Sequence, residues 1–307
     1  MLLKKLNLFK EEDGSALVLF TLFFVIIIGI AGLVIDGGLL FTTKSHLKKT
    51  ANAAVLSGAQ ELTNSDNSVN EVVLEILKAH EEENNLKEIY IETNNEYKVR
   101  VVLEKEVPLK FLTLFKINSM TITVSSSAEL VPMSRGQGAV PLGIDKNIPL
   151  EYLKEYKLKV DSGDSEYGNF GILALSGVGA NLYEQDLTYG YEGEIEVGDI
   201  INTQTGNISG KTRDAVNFRI NSCPHPIDDI NHRDCSRVIL ILVYEPYMVQ
   251  SNQLKEVKIT GFAYFYIKSP MDHNDSSITG YFIRRAGSGF GDKNIADNGA
   301  YTIRLIE

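Results

Sequence analysis

Apolar positions along the chain change their spacing three times. Residues 15–35 read SALVLFTLFFVIIIGIAGLVI, 21 residues without a charge. At 1.5 Å per residue this run covers roughly 30 Å, the thickness of a hydrocarbon core, and predicts a transmembrane helix. Beyond it Leu47, Ala51, Ala54, Val55, Gly58, Ala59 and Leu62 recur every three or four positions, and no proline interrupts before Pro108. That period predicts that the same helix continues as a stalk over 36–62.

A second regime follows. Val69, Val72, Val73, Ile76, Leu77 and His80 lie at helical spacing within 67–83. Ile89 and Ile91 then alternate with polar residues, Asn94-Asn95 offers a turn, and Tyr97, Val99, Val101 and Leu103 alternate again, a hairpin pattern. Pro108 ends it, 111–117 suits a short helix, and 120–130 reads as a third strand with Ile122 and Val124 facing the helix. The sum is a small α+β subdomain over 63–131. Met133-Ser134-Arg135-Gly136-Gln137-Gly138, flanked by Pro132 and Pro141, reads as a linker over 132–138.

From 139 to 307 the apolar segments are short: 156–160, 170–175, 194–201, 238–244, 257–267, 280–284 and 301–306, separated by Gly, Asn and Asp turns. They predict a mainly β domain, a sandwich or small barrel, with one helix expected at 149–155. All but two of the 14 tyrosines fall here, where the ring covers sheet surface and the hydroxyl stays in water.

Charge sharpens this division. The 307 residues hold 30 basic and 40 acidic side chains, a net charge of −10. Residues 1–50 carry six lysines against four acids, leaving 24 against 36 for the remainder, so the surplus lies wholly in the body. An acidic body with no basic stretch argues against nucleic acid as a partner. The apolar run is longer than the core of a cleaved signal, and the nearest small-x-small site, Ala51-Asn52-Ala53, lies past Lys44–Lys49. An uncleaved single-pass anchor in the cell membrane is therefore expected. Lys4, Lys5 and Lys10 balance Lys44, Lys48 and Lys49, so the flanking charges tie. The short tail, 1–14, is the simpler part to keep cytoplasmic, with the body extracytoplasmic. Asp36 follows the run directly and is expected as a membrane-boundary acid that hydrates at the interface.

Candidate chemistry is sparse. Cys223 and Cys235, the only cysteines, sit in CPHPIDDINHRDC. In an exported body they most simply close a disulfide, while two free thiols, or a zinc site of Cys223, His225, His232 and Cys235, stay open as the alternatives. Gly287-Ser288-Gly289-Phe290-Gly291 lacks the strand and helix of a phosphate loop and reads as a mobile surface turn. Asp292, Asn294 and Asp297, and Asp272, Asn274 and Asp275, are oxygen-rich without the spacing of a calcium loop, and read as solvated turns. No G-x-S-x-G or H-E-x-x-H is present. The chain is expected not to be an enzyme, and no catalytic residue, metal or cofactor is assigned.

Three pieces near the N-terminus carry a family resemblance. The acidic-Gly-Ser-Ala-apolar order at 12–20, the G-x-A-G-L-x-x-D-x-G pattern at 29–38, and Thr50-Ala51-Asn52-Ala53-Ala54 leading to Ser57-Gly58-Ala59 together resemble the N-terminus of TadE/TadG-like Flp pilus-assembly proteins. The resemblance implies a cytoplasmic N-terminus, one membrane helix, an extracytoplasmic body, and a non-enzymatic, pseudopilin-like part in building or anchoring a Tad-type pilus. Implied partners are the membrane and other pilus-assembly or secretion-system proteins, with the cell wall as a further contact. Gly14-Ser15 fits the position at which prepilin peptidase cuts, yet acids flank it and Leu19 stands where processed pilins usually have Glu, so cleavage is not expected. Many TadG-like proteins carry a von Willebrand-type domain with a D-x-S-x-S metal site; that motif is absent from this sequence, so metal-dependent adhesion is not expected of it. The other class left open is a membrane-tethered exported enzyme or ligand-binding protein with its site in the β domain.

Overall fold

The computed structural model describes residues 13–94, 96–159, 170–204, 208–227, 229–230, 232–250, 253–271 and 277–306. Residues 1–12 of the expected tail, Asn95 of the expected turn, and Asp272, Asn274 and Asp275 lie outside them.

Helix α1 (Asp13–Ala59) is a single 47-residue helix, about 70 Å long. Its sides differ along its length. Leu17 to Ile35 are exposed almost throughout, whereas Leu47, Ala51, Ala54, Val55 and Ala59 are completely buried. The segment expected as a stalk is thus the central helix of a core. It packs against α2 (Asp66–Ala79) and the sheet formed by β1 (Leu86–Glu92), β2 (Lys98–Pro108) and β3 (Ser119–Gly136). Ser65 caps α2 by accepting the Ser68 N–H at 3.1 Å. Each fully buried Leu or Val in this layer contributes about 1.5–3 kcal/mol relative to exposure.

The expected linker does not exist as such. β3 continues through Pro132 to Gly136, and Met133 is 1% exposed. Only Gln137-Gly138 separates it from β4 (Ala139–Asp145). The division into 63–131 and 139–307 also fails at the C-terminus. The last strand, β14 (Ala300–Ile306), returns to pair antiparallel with β3, Arg304 opposite Glu129. The first sheet runs β1-β2-β3-β14-β12, where β12 is Arg285–Gly287, and two short strands, β7 (Ile195–Glu196) and β13 (Phe290–Gly291), flank the far end of β3. The 287–291 turn lies at the surface as expected, with Phe290 57% exposed, but it is paired there: Phe290 and Gly291 ladder with β3, and the Phe290 ring lies 4.1 Å from the Arg135 guanidinium.

The second sheet is mainly β, as expected, with order β5-β11-β10-β9-β4-β6 and β8 on β10. These are β5 (Glu155–Lys159), β6 (Phe170–Ile172), β8 (Ile200–Asn202), β9 (Val238–Gln250), β10 (Gln253–Ile267) and β11 (Ser277–Ile283). β9 begins VILILVY because both faces are covered. Ile239, Ile241 and Val243 face one cluster; Leu240, Leu242 and Tyr244 face another, which includes Met133 of β3 and joins the two sheets.

Two helices complete the first of those clusters, α3 (Ala180–Tyr189) and α4 (Ser209–Ser222). The expected helix at 149–155 is instead a turn, with Leu153 left-handed at φ 65°. The buried face of α4 is Thr212, Ala215, Val216 and Arg219, a regular helical stripe that hydropathy does not register because a hydroxyl and a guanidinium fill two of its four places. Arg219 donates to Leu187 O at 2.6 Å and Ser236 O at 3.0 Å. Burial pulls its pKa down to about 10.

Candidate functional site

One seam on α1 joins the apolar run to the core. Gly32 and Asp36, one turn apart, are the buried positions there, and Leu40, Leu47, Ala51, Ala54 and Val55 continue the stripe. What covers Gly32 and Asp36 is the β2–β3 connection. A Cβ on Gly32 would meet Phe111 Cγ at 2.6 Å, so only glycine admits the ring this close to the helix.

Asp36 holds the same connection by its backbone. Oδ1 accepts the Lys110 N–H at 2.9 Å, and Oδ2 accepts the Phe111 and Leu112 N–H groups at 2.9 and 2.7 Å. These donors begin the 3₁₀ turn Leu112–Phe115, where no earlier carbonyl is available, so the carboxylate acts as a cap supplied from another element. Asp36 is 0% exposed, which corrects the expectation that it hydrates: its place at the end of the apolar run stands, but protein N–H groups replace the water. Gly14 and Ser15 lie in the first turn of α1.

Residues 14–61, α1 and its exit, match the family model Tad, "Putative Flp pilus-assembly TadE/G-like". Over these residues, and these alone, the chain is similar to the TadE/G-like family. The match supports a pilus-assembly-related role, with membrane association and pilus-assembly partners. α1 is also, among the described residues, the one helix long and apolar enough to cross a membrane, which suggests a single-pass anchor. No curated protein and no solved structure matches the chain. Residues 62–307 lie beyond the TadE/G-like match.

The second expected site lies where the body meets the end of the TadE/G-like helix. Cys223, just past α4, and Cys235, before β9, form a disulfide with Cα atoms 4.8 Å apart. With both sulfurs bonded to each other, the Cys₂His₂ zinc arrangement is overturned. His225 and His232 still stack, centroids 3.6 Å apart, but each turns Nε2 to a carboxylate of the same loop: His225 to Asp234 at 2.6 Å, His232 to Asp229 at 2.7 Å. The His225 bond holds the Asp234 pKa below the usual carboxylate range. Tyr266 donates its hydroxyl to Ile227 O at 2.8 Å and pins the loop to β10.

The loop also reaches the helix. Arg233 donates to Gln60 O at 2.6 Å and pairs with Glu61 at 3.2 Å, just beyond the end of α1, where a cation suits the unpaired carbonyls. Arg285 holds the loop from the other side through His232 O and Arg233 O, at 3.1 and 2.6 Å. Periodicity pointed to α1 and the cysteine count to the bridge, but nothing in the sequence marked Arg233 or Phe111 as partners of the helix.

The oxygen-rich 292–299 segment uses its carboxylates internally. Asp292 Oδ1 accepts the Asn294 N–H at 2.9 Å, and Asp297 accepts from Gly299 N and the Tyr301 hydroxyl at 2.9 and 2.8 Å.

Proposed function

We propose that this chain is a non-enzymatic, pseudopilin-like subunit that builds or anchors a Tad/Flp-type pilus, with its N-terminus cytoplasmic and its acidic body outside the membrane. The observation that carries the reading is α1 itself. One uninterrupted helix presents exposed apolar side chains over its first half and forms the core of an α+β layer over its second. A helix of that form transmits position from the bilayer, or from the base of a fibre, to the folded body without a flexible joint.

The disulfide supports an extracytoplasmic body, since such bonds persist in oxidising compartments. Leu19 in place of the usual glutamate, together with the acids flanking Gly14, supports a subunit that keeps its leader. In this reading the body, with its strapped disulfide loop, makes protein or cell-wall contacts.

The test is an in-frame deletion in the native host, scored by surface fibres in electron micrographs. Loss of fibres, restored by the wild-type gene but not by a copy lacking residues 15–35, is the expected result. Unchanged fibre number would remove the proposal. A periplasmic-type reporter fused after residue 306 should be active, and N-terminal sequencing of membrane-extracted protein should begin before Ser15.

A further inference from the structure

We propose that the β2–β3 connection, residues 109–118, is a second membrane-contacting element that places Leu114 and Phe115 among the lipids of the leaflet in which the apolar run of α1 ends. The inference rests on the membrane-anchor reading of α1.

Depth is the first argument. The connection sits against Gly32 and Asp36, and Gly32 lies within the uncharged run 15–35, three residues before its end. If that run occupies hydrocarbon, Phe111 packed on Gly32 stands at or just inside the boundary. Asp36 fixes the backbone of 110–112, so the turn cannot swing away from the helix without giving up three charge-assisted hydrogen bonds.

Its surface is the second. Leu114 is 79% exposed, Phe115 66% and Ile117 44%, beside a helix whose neighbouring surface is equally apolar. A soluble loop rarely shows such side chains together, and here the patch continues the one surface of the molecule already assigned to lipid. Lys110 and Lys116 lie on either side of Leu114 and Phe115 in sequence, and their stems are long enough to carry the ammonium groups to headgroup phosphates.

Backbone chemistry is the third. Non-helical chain is tolerated at membrane depth only where its polar groups are satisfied by protein. Here Asp36 takes the N–H groups of Lys110, Phe111 and Leu112. Leu114 N donates to Phe111 O, Lys116 N to Thr113 O, and Ile117 N to Leu112 O, at 3.1, 3.0 and 3.2 Å. Leu109 N donates to Asn118 O at 2.9 Å and closes the base, and the Thr113 hydroxyl donates to Lys110 O at 2.8 Å. The tip therefore offers lipid its side chains with little unpaired backbone.

The chain contains no tryptophan, so a single introduced indole reports without background. Three full-length variants are compared in phosphatidylcholine vesicles with brominated acyl chains: Leu114→Trp at the tip, Phe24→Trp in the apolar run, and Tyr247→Trp on the exposed end of β9. The expected result is a blue-shifted emission from Leu114→Trp that loses intensity to bromolipid nearly as much as Phe24→Trp does and resists aqueous iodide. Iodide quenching of Leu114→Trp equal to that of Tyr247→Trp, with Phe24→Trp still quenched by bromolipid, would overturn the lipid contact and leave the anchor intact. Failure of Phe24→Trp to respond to bromolipid would overturn both. An indole in Leu114→Trp shielded from bromolipid and iodide alike would overturn the lipid contact in favour of a covering protein. Phe115→Trp repeats the measurement should Leu114→Trp fail to accumulate.

Discussion

Arg304 stands directly opposite Glu129 across the β3–β14 ladder and donates its Nε–H to the Glu129 carboxylate at 2.9 Å. Lys293 reaches the other oxygen at 2.8 Å, and the Glu129 side chain is 3% exposed. The pair joins the end of the chain to the strand that packs on the anchor helix.

Burial alone would raise the Glu129 pKa, but the bonds from Lys293 and Arg304 outweigh it and leave the carboxyl below its ordinary 4.5. A depressed carboxyl contributes stability that is present above the unfolded pKa and is lost as pH falls through the folded one. Arg304→Ala should therefore destabilise the protein at pH 7 by about 1–3 kcal/mol, because a buried acceptor keeps only one of its two cationic partners. Denaturant melts at pH 7 and pH 3 check this: the gap between wild type and variant should narrow at the lower pH, and a gap that widens would refute the account.

The strand that carries Arg304 also marks where sequence reading stops. Residues 301–306 are legible as a strand from alternation, but which strand it joins depends on a partner some 170 residues away, and no local pattern encodes that choice. The same limit hid the continuity of β3: Pro132 and Gly136 are turn residues by composition, yet Pro132 pairs with Tyr301 of β14 and Gly136 with Ile195 of β7, partners far away in sequence. α1 was legible end to end because its two regimes, uncharged run and three-four spacing, share one uninterrupted period. Asp36 was visible as a boundary acid; its actual role depends on a connection 74 residues downstream.

Asp36→Asn should free that connection. An amide has one acceptor oxygen where the carboxylate has two, and its NH₂ would face a backbone N–H, so at least one of the three bonds is lost with a buried donor left unpaired. The cost is about 1–3 kcal/mol, confined to the turn. Limited trypsin digestion in detergent should cut at Lys110 and Lys116 faster in the variant than in wild type. Equal cleavage rates would show that the carboxylate does not hold the turn.

At Gly58, α1 and α2 are in close contact: a Cβ there would meet Val73 Cγ2 at 2.6 Å. Alanine normally gains about 1 kcal/mol over glycine in a helix, but overpacking a closed contact costs about 1–3 kcal/mol, and Val73 is fully buried with nowhere to turn. The clash should win. Gly58→Ala should lower the melting temperature, and Gly58→Ala with Val73→Ala should recover part of the loss. A single variant more stable than wild type would mean that α2 shifts freely on α1.

The disulfide has two effects that can be separated. Closing a loop across a sequence separation of 12 contributes about 3 kcal/mol by restricting the unfolded chain. It also holds Arg233 on Gln60 and Glu61 and so ties the body to the end of α1. Alkylation without reductant should leave Cys223 and Cys235 unlabelled, and full labelling would discard the bridge. Cys223→Ser with Cys235→Ser should lower global stability by the amount above and, in addition, raise amide hydrogen exchange in the last turn of α1. Arg233→Ala should reproduce the second effect with little of the first, because a surface ion pair contributes at most about 1 kcal/mol while the bridge still constrains the unfolded state. If Arg233→Ala leaves exchange at 57–61 unchanged, the loop is a local staple and the coupling of body to helix lies elsewhere.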